Sequence, residues 1–276
     1  MGVSDVDVKY TLDEIRTKGK REMFRAGPRM RFVMPRISVR VTKWILDHAP
    51  STTANQITLV SAVLGMAAGI WLIPTGVLPA VVAFLLYQLH ILTDYVDGEI
   101  ARVKESASPT GAYYDLMVGR YVKPIVLYGA AIGAWLMHPA SIEGAIDLGL
   151  GGLIIAGFFL DKEAVDVWYR SNPARTDLED PYVVRSQHAV RGARRVLIRI
   201  AVGLRSIPAF LTYQIAAALL LAFGVEGVHV GDYFLTPRTA ILWLFAVTFP
   251  ALAILRAIYI ARTGHIPRRQ DLVRDR

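Results

Sequence analysis

Residues 78–97 read LPAVVAFLLYQLHILTDYVD, apolar until the last turn, where Asp94 and Asp97 interrupt the run. As a helix this stretch is about 30 Å long, the thickness of a bilayer's hydrocarbon core. Further apolar stretches lie on either side, at residues 55–74, 112–138, 145–160, 208–225 and 237–261. Pro74, Gly76 and Pro79 make a short turn between the first two spans. Pro250 falls inside the last span and should kink it. Residues 112–138 would run about 40 Å as a helix, so one end must pass beyond the hydrocarbon or tilt. Asp115, Arg120 and Lys123 mark the end that does so.

Composition agrees. Apolar residues make up 54% of the 276, charged residues 20%, and mean hydropathy is +0.39. A soluble domain has about 45–50% apolar and about 25% charged residues. Intrinsic disorder is excluded, because it requires low hydrophobicity. With no cysteine, a disulfide scaffold, thiolate catalysis and Cys-ligated metal are excluded too. The expected fold class is an all-α polytopic membrane protein with six transmembrane helices and an N-terminal amphipathic interfacial helix.

The net charge of +8 would suit nucleic acid in a soluble chain, but its distribution argues otherwise. Residues 1–54 carry eleven Lys/Arg, the 98–111 loop two, the 161–207 loop nine and the tail after 261 five. The connections 75–77, 139–144 and 226–236 carry none. This alternation follows the positive-inside rule. It predicts a multi-pass cell-membrane protein whose termini and basic loops face the cytoplasm and an anionic leaflet, with no nucleic acid partner. The first 30 residues are charged and lack the apolar centre of a cleavable signal.

Residues 1–34 read as a basic cytoplasmic extension, 35–262 as the membrane domain, and 263–276 as a basic tail. Within the domain, residues 35–48 (PRISVRVTKWILDH) read as an amphipathic helix lying along the interface. Residues 187–207 have the same character, and both are also readable as plain basic flanks. Tyr113, Tyr114 and Trp168 read as interfacial anchors.

Three carboxylates stand where they are costly. Asp94 and Asp97, three residues apart, share a helix face. Asp115 begins the next span. A carboxylate at a span's centre costs about 2.5–3.5 kcal/mol, and less near its end. All three map to one end of two consecutive spans, so they can converge, and something cationic should lie among them. An oxygen-only donor set favours Mg²⁺, Mn²⁺ or Ca²⁺ over zinc. Mg²⁺ is usually shared between such carboxylates and a substrate's phosphates. The simpler alternative is interfacial aspartates paired with Arg102, Lys104 or Arg120.

The run Asp94-Tyr-Val-Asp97-Gly98-Glu-Ile-Ala101-Arg102, then Gly111 and Asp115, resembles the signature of the CDP-alcohol phosphotransferase family. That signature reads D-x₂-D-G-x₂-A-R-x₈-G-x₃-D-x₃-D, and seven of its eight fixed positions match in spacing. The resemblance covers roughly residues 36–262. It implies transfer of a substituted phosphoryl group from a CDP-linked donor, such as CDP-diacylglycerol, to an alcohol or phosphorylated alcohol, releasing CMP. That places the chain in phospholipid biosynthesis. It further implies that Asp94, Asp97 and Asp115 are catalytic and hold Mg²⁺ or Mn²⁺. Gly98, Ala101 and Gly111 would leave room for the nucleotide. Arg102 would lie near the diphosphate or brace the aspartates. Asn55 and Thr58 in NQIT would line the nucleotide pocket, as in the family's P-N-x-I-T segment, whose proline is Ala54 here. Membrane lipids are implied partners, and a homodimer follows from the habit of the family's members.

The last signature position departs: it is Gly119, where the family has a metal-binding aspartate and proposed base. Glu99, Asp161, Glu163, Asp166 or His90 could substitute, or the acceptor's own phosphate could take the proton. A catalytically weak or inactive relative that binds CDP-lipid is the alternative function. Arg120, Lys123, Arg191, Arg194 and Arg195 could receive an anionic acceptor, or simply follow the positive-inside bias.

Overall fold

Each of the six apolar stretches is a helix, because runs of this length bury their backbone polar groups only in helical form. The computed structural model describes residues 10–19, 30–171 and 206–262. Over these it shows α1 (Leu12–Lys18), α2 (Met30–His48), α3 (Ala54–Trp71), α4 (Val77–Val103), α5 (Pro109–Trp135) and α6 (Ile142–Ser171). They are followed by α7 (Ile207–Ala222), β1 (Val228–Val230), β2 (Tyr233–Leu235) and α8 (Pro237–Arg262). Helices α3 and α4, together with Ile142–Glu163 of α6 and Pro237–Leu255 of α8, are long and apolar enough to cross a membrane. The protein is an all-α polytopic membrane protein. Helix α5 carries Asp115, Arg120 and Lys123 in its first half, and α7 has only 16 residues, about 24 Å.

The pattern of burial in α3 is that of a helix in lipid. Its buried residues are small or hydroxylated: Thr58, Ser61, Gly65, Ala68 and Gly69. Its exposed ones are Leu59, Val60, Val63, Met66 and Ile70. Small residues let membrane helices approach closely, and apolar side chains outside meet hydrocarbon at no cost.

The chain forms two compact units. The first comprises residues 10–19, 30–70 and 82–125 of those described. Its apolar core joins Ile15, Val39, Leu46, Val96, Ile100 and Val103. Within the expected extension 1–34, Leu12–Lys18 thus forms a helix. Thr11 and Glu14 close a capping box at the start of α1, which lowers the Glu14 carboxyl below its usual range through hydrogen bonds from Thr11. Ile15 is fully buried, worth about 1.5–3 kcal/mol. One isoleucine in a charged heptapeptide was too weak a signal for the sequence to show this. Helix α2 also starts earlier than residue 35. It turns Ser38, Val39, Thr42 and Leu46 inward and exposes Ile37, Arg40 and Trp44, so it is amphipathic as expected.

The second unit comprises residues 71–81, 126–171 and 206–262 of those described. Helices α6 and α8 meet at Gly157, where a Cβ would lie 2.6 Å from the nitrogen and 2.7 Å from Cδ of Pro250. Phe210 of α7 stacks edge-on to Phe245 of α8 at 4.9 Å. Arg238 is buried and donates to the carbonyls of Ala130 and Leu72. The 226–236 connection is an antiparallel hairpin turning at Gly231, whose φ of 62° suits glycine. Tyr233 Oη donates to Asp147 Oδ1 at 2.7 Å. Helix α6 continues past residue 160 to Ser171, so the 161–207 loop begins as helix. Residues 187–205 of the 187–207 stretch, among them Arg191, Arg194 and Arg195, the tail 263–276 and the side chains of Asp166 and Trp168 lie outside the described residues.

Candidate active site

The site is built in the first unit from α3, α4 and α5. Helix α4 places Asp94, Asp97 and Gly98 on one side, at 100° per residue. Asp97 is buried, and Thr58 Oγ1 of α3 donates to its Oδ2 at 2.7 Å. The same hydroxyl lies 3.1 Å from the Ala54 carbonyl, but its single proton favours the shorter, charge-assisted bond. Asp94 and Asp115 both act electrostatically on Asp97. Asp115 and Lys123 likewise act on His90. Among the described residues, no three acidic or imidazole side chains are grouped closely enough to cage an ion by themselves.

Of the expected nucleotide-side residues, Gly111 and Asn55 meet at the start of α5. Ser108 Oγ accepts from the Gly111 N–H at 3.0 Å and caps the helix. A Cβ on Gly111 would lie 3.4 Å from Asn55 Oδ1, so glycine there keeps Asn55 and α5 in close approach. Gly98 serves Arg102: a Cβ would sit 2.9 Å from Nη1. Arg102 Nε donates to the Gly19 carbonyl at 3.0 Å, which ties the α1 segment to the signature helix. Ala101 is half-buried beside it. Lys104 donates to the carbonyls of Pro50 and Thr52, and its burial lowers its pKa below the usual lysine value.

The candidate replacements for the missing base separate clearly. Glu99 is buried, with Ser38 Oγ donating to Oε1 at 2.5 Å and Thr42 Oγ1 to Oε2 at 2.6 Å. Both oxygens are engaged with α2, so Glu99 is a tether and not a substitute base. His90 is buried with Nδ1 2.8 Å from Ser61 Oγ and 3.0 Å from the Ser61 carbonyl, the usual state of a histidine inside a span. Asp161 and Glu163 belong to α6 of the second unit. A Cβ on Gly119 meets nothing within 4 Å, so the position of the absent carboxylate is open space. Tyr113 and Tyr114 are exposed, as anchors should be. The Glu99 tether was missed in sequence, although Ser38 and Thr42 at i and i+4 among apolar neighbours were a usable signal.

Comparison with known proteins identifies the family. A "Bifunctional IPC transferase and DIPP synthase" of Thermococcus kodakarensis is 32% identical over 230 residues, covering 81% of this chain and 47% of the relative. The protein of the same name in Aquifex aeolicus is 28% identical over 87 residues, 32% of this chain and 19% of its own length. A "Phosphatidylinositol phosphate synthase" of Corynebacterium glutamicum is 38% identical over 86 residues, 31% of this chain and 37% of that one. The chain thus spans less than half the length of these relatives. The family model described as CDP-alcohol phosphatidyltransferase matches residues 51–256, which include every signature residue discussed above, and the chain belongs to that family.

Proposed function

We propose that this protein transfers a substituted phosphoryl group from CDP-diacylglycerol to an alcohol, releasing CMP, within phospholipid synthesis. The supporting observation is Asp97, buried and oriented by Thr58, with Asp94 and Asp115 in its field at the family's spacing. These carboxylates are an open, oxygen-only donor set. That suits Mg²⁺ or Mn²⁺, which complete their coordination with substrate phosphates and so need no closed protein cage such as is absent among the described residues. Asp94, Asp97 and Asp115 would hold the ion, which supplies charge neutralisation for the diphosphate. Asn55, Thr58, Gly98, Ala101 and Gly111 shape the nucleotide side, and Arg102 braces α4 from the α1 segment.

In the reaction, the acceptor oxygen bonds to the phosphorus that carries the lipid, and the bond from that phosphorus to the bridging oxygen breaks. CMP leaves with that oxygen. With Gly119 in place of a base, the hydroxyl proton passes to the acceptor's own phosphate. The acceptor is therefore a phosphorylated alcohol, and the name of the Corynebacterium relative makes an inositol phosphate the first to try. The site faces the cytoplasm, where nucleotide is available.

Purified protein is incubated with CDP-diacylglycerol, Mg²⁺ or Mn²⁺, and a panel of free and phosphorylated alcohols, and CMP is measured. Metal-dependent CMP release with a phosphorylated alcohol supports the reading. CDP binding with no release under any acceptor favours the second reading, a CDP-lipid-binding relative without turnover, for which Gly119 is the specific ground.

A further inference from the structure

The side of α4 that faces away from the aspartates carries its own buried carboxylate. At 100° per residue, Glu99 lies about 160° around the helix from Asp97 and about 140° from Asp94. It is 4% exposed, and Ser38 and Thr42, which donate to its two oxygens, are both 0% exposed. They come from one face of α2, interleaved with Val39 and Leu46, which share a core with Val96, Ile100 and Val103 of α4. Arg102 is the charged group acting on Glu99. Apolar packing alone would seat α2 on α4, and a whole buried polar cluster replaced by well-packed apolar residues is often no less stable. A carboxylate gripped by two hydroxyls adds direction: it resists rotation of α4 about its axis. Across the helix, Thr58 grips Asp97 from α3. Helix α4 is held by hydroxyl–carboxylate bonds on both sides.

We propose that Glu99 is a positioning residue: by locking α4 to Ser38 and Thr42 of α2, it sets the direction in which Asp94 and Asp97 point, and makes α2 part of the reaction centre. The inference rests on the reading of those aspartates as the donor site, and its test has one arm that does not need a donor.

The chain has no cysteine, so Ala101→Cys introduces its sole thiol. Residue 101 lies about 40° from Asp97 on the same side of α4. Maleimide labelling of this thiol is timed in the parent, in Glu99→Leu, in Ser38→Ala/Thr42→Val, and in Glu99→Gln, each checked for monodispersity. The first two variants should change the labelling rate several-fold. Glu99→Gln should restore it, since its amide can accept from one hydroxyl and donate to the other. Thr42→Val alone, the mildest lesion, should shift the rate in the same direction. Unchanged labelling in every monodisperse variant overturns the proposal. In the second arm, without the cysteine, Glu99→Leu should lower kcat for CMP release about 10²-fold with acceptor KM unchanged, the signature of misplaced reacting groups. A rise in KM at constant kcat would overturn it. If the parent releases no CMP and binds no CDP, the donor-site reading fails, and the labelling arm still decides the positioning role.

Discussion

Thr58 and Asp97 stand 39 residues apart in sequence and 2.7 Å apart as hydroxyl and carboxylate, joining the NQIT segment of α3 to the signature of α4. The bond fixes the orientation of the Asp97 carboxylate. A partner that orients a metal-binding carboxylate typically contributes about 10–100-fold to metal affinity or activity. Thr58→Val should therefore weaken Mn²⁺-dependent CDP binding by about that factor in a calorimetric titration, and Thr58→Ser should not. Asp97→Asn should abolish the metal dependence; equal CDP affinity with and without Mn²⁺ in wild type would remove the metal role.

Gly119→Asp returns a carboxylate to an open position, where its Cβ meets no neighbour within 4 Å. General base catalysis is worth about 10²–10⁴-fold. CMP release with unphosphorylated alcohols should rise in this variant, while phosphorylated alcohols gain less. Complete loss of activity with a folded protein would show a pocket organised around glycine.

Arg102→Ala deletes the bond to the Gly19 carbonyl. Amide hydrogen exchange across Leu12–Lys18 should accelerate, and CDP affinity should fall with it. Unaltered exchange in α1 would mean that the core around Ile15 suffices to hold the segment.

Gly157→Val forces a branched side chain against the Pro250 ring and backbone. Overpacking of this kind costs about 1–3 kcal/mol. The thermal midpoint of the detergent-solubilised protein should drop, whereas Gly152→Val, at a site with no neighbour within 4 Å, should leave it in place.

Burial, and then the Asp147 carboxylate, push the Tyr233 phenol up to about 12. A raised value means that the fold favours the protonated phenol. This contribution is complete below the ordinary tyrosine value near 10 and is lost as pH climbs from there to about 12. Ultraviolet titration of wild type minus Tyr233→Phe should show one phenol ionising late. Ionisation near 10 would disprove the contact.

The six helices were legible because long apolar runs admit little else, and the signature was legible because its seven matching positions are all side-chain identities. The helix α1 was not, since it docks through a single buried apolar side chain, Ile15, and the bond from Arg102 to the Gly19 carbonyl, neither of which makes a periodic pattern in sequence. Nor were the strands, three residues each and held by the turn at Gly231. The bonds of Glu99 to α2 were not legible either, and Glu99 stood only among several candidates for the missing base. A carboxylate beside two signature residues reads as chemistry until the opposite side of the helix is known, and sequence position does not reveal which neighbour occupies that side.

Lys104 donates to two main-chain oxygens, those of Pro50 and Thr52. Backbone acceptors are the same whatever residue bears them. Alanine scanning through the connection between α2 and α3 would therefore register nothing at this joint, while inserting or deleting a single residue there would pull the carbonyls out of reach. At this joint the length of the segment matters more than its residue identities, a constraint to respect when splicing tags or chimeric junctions into it.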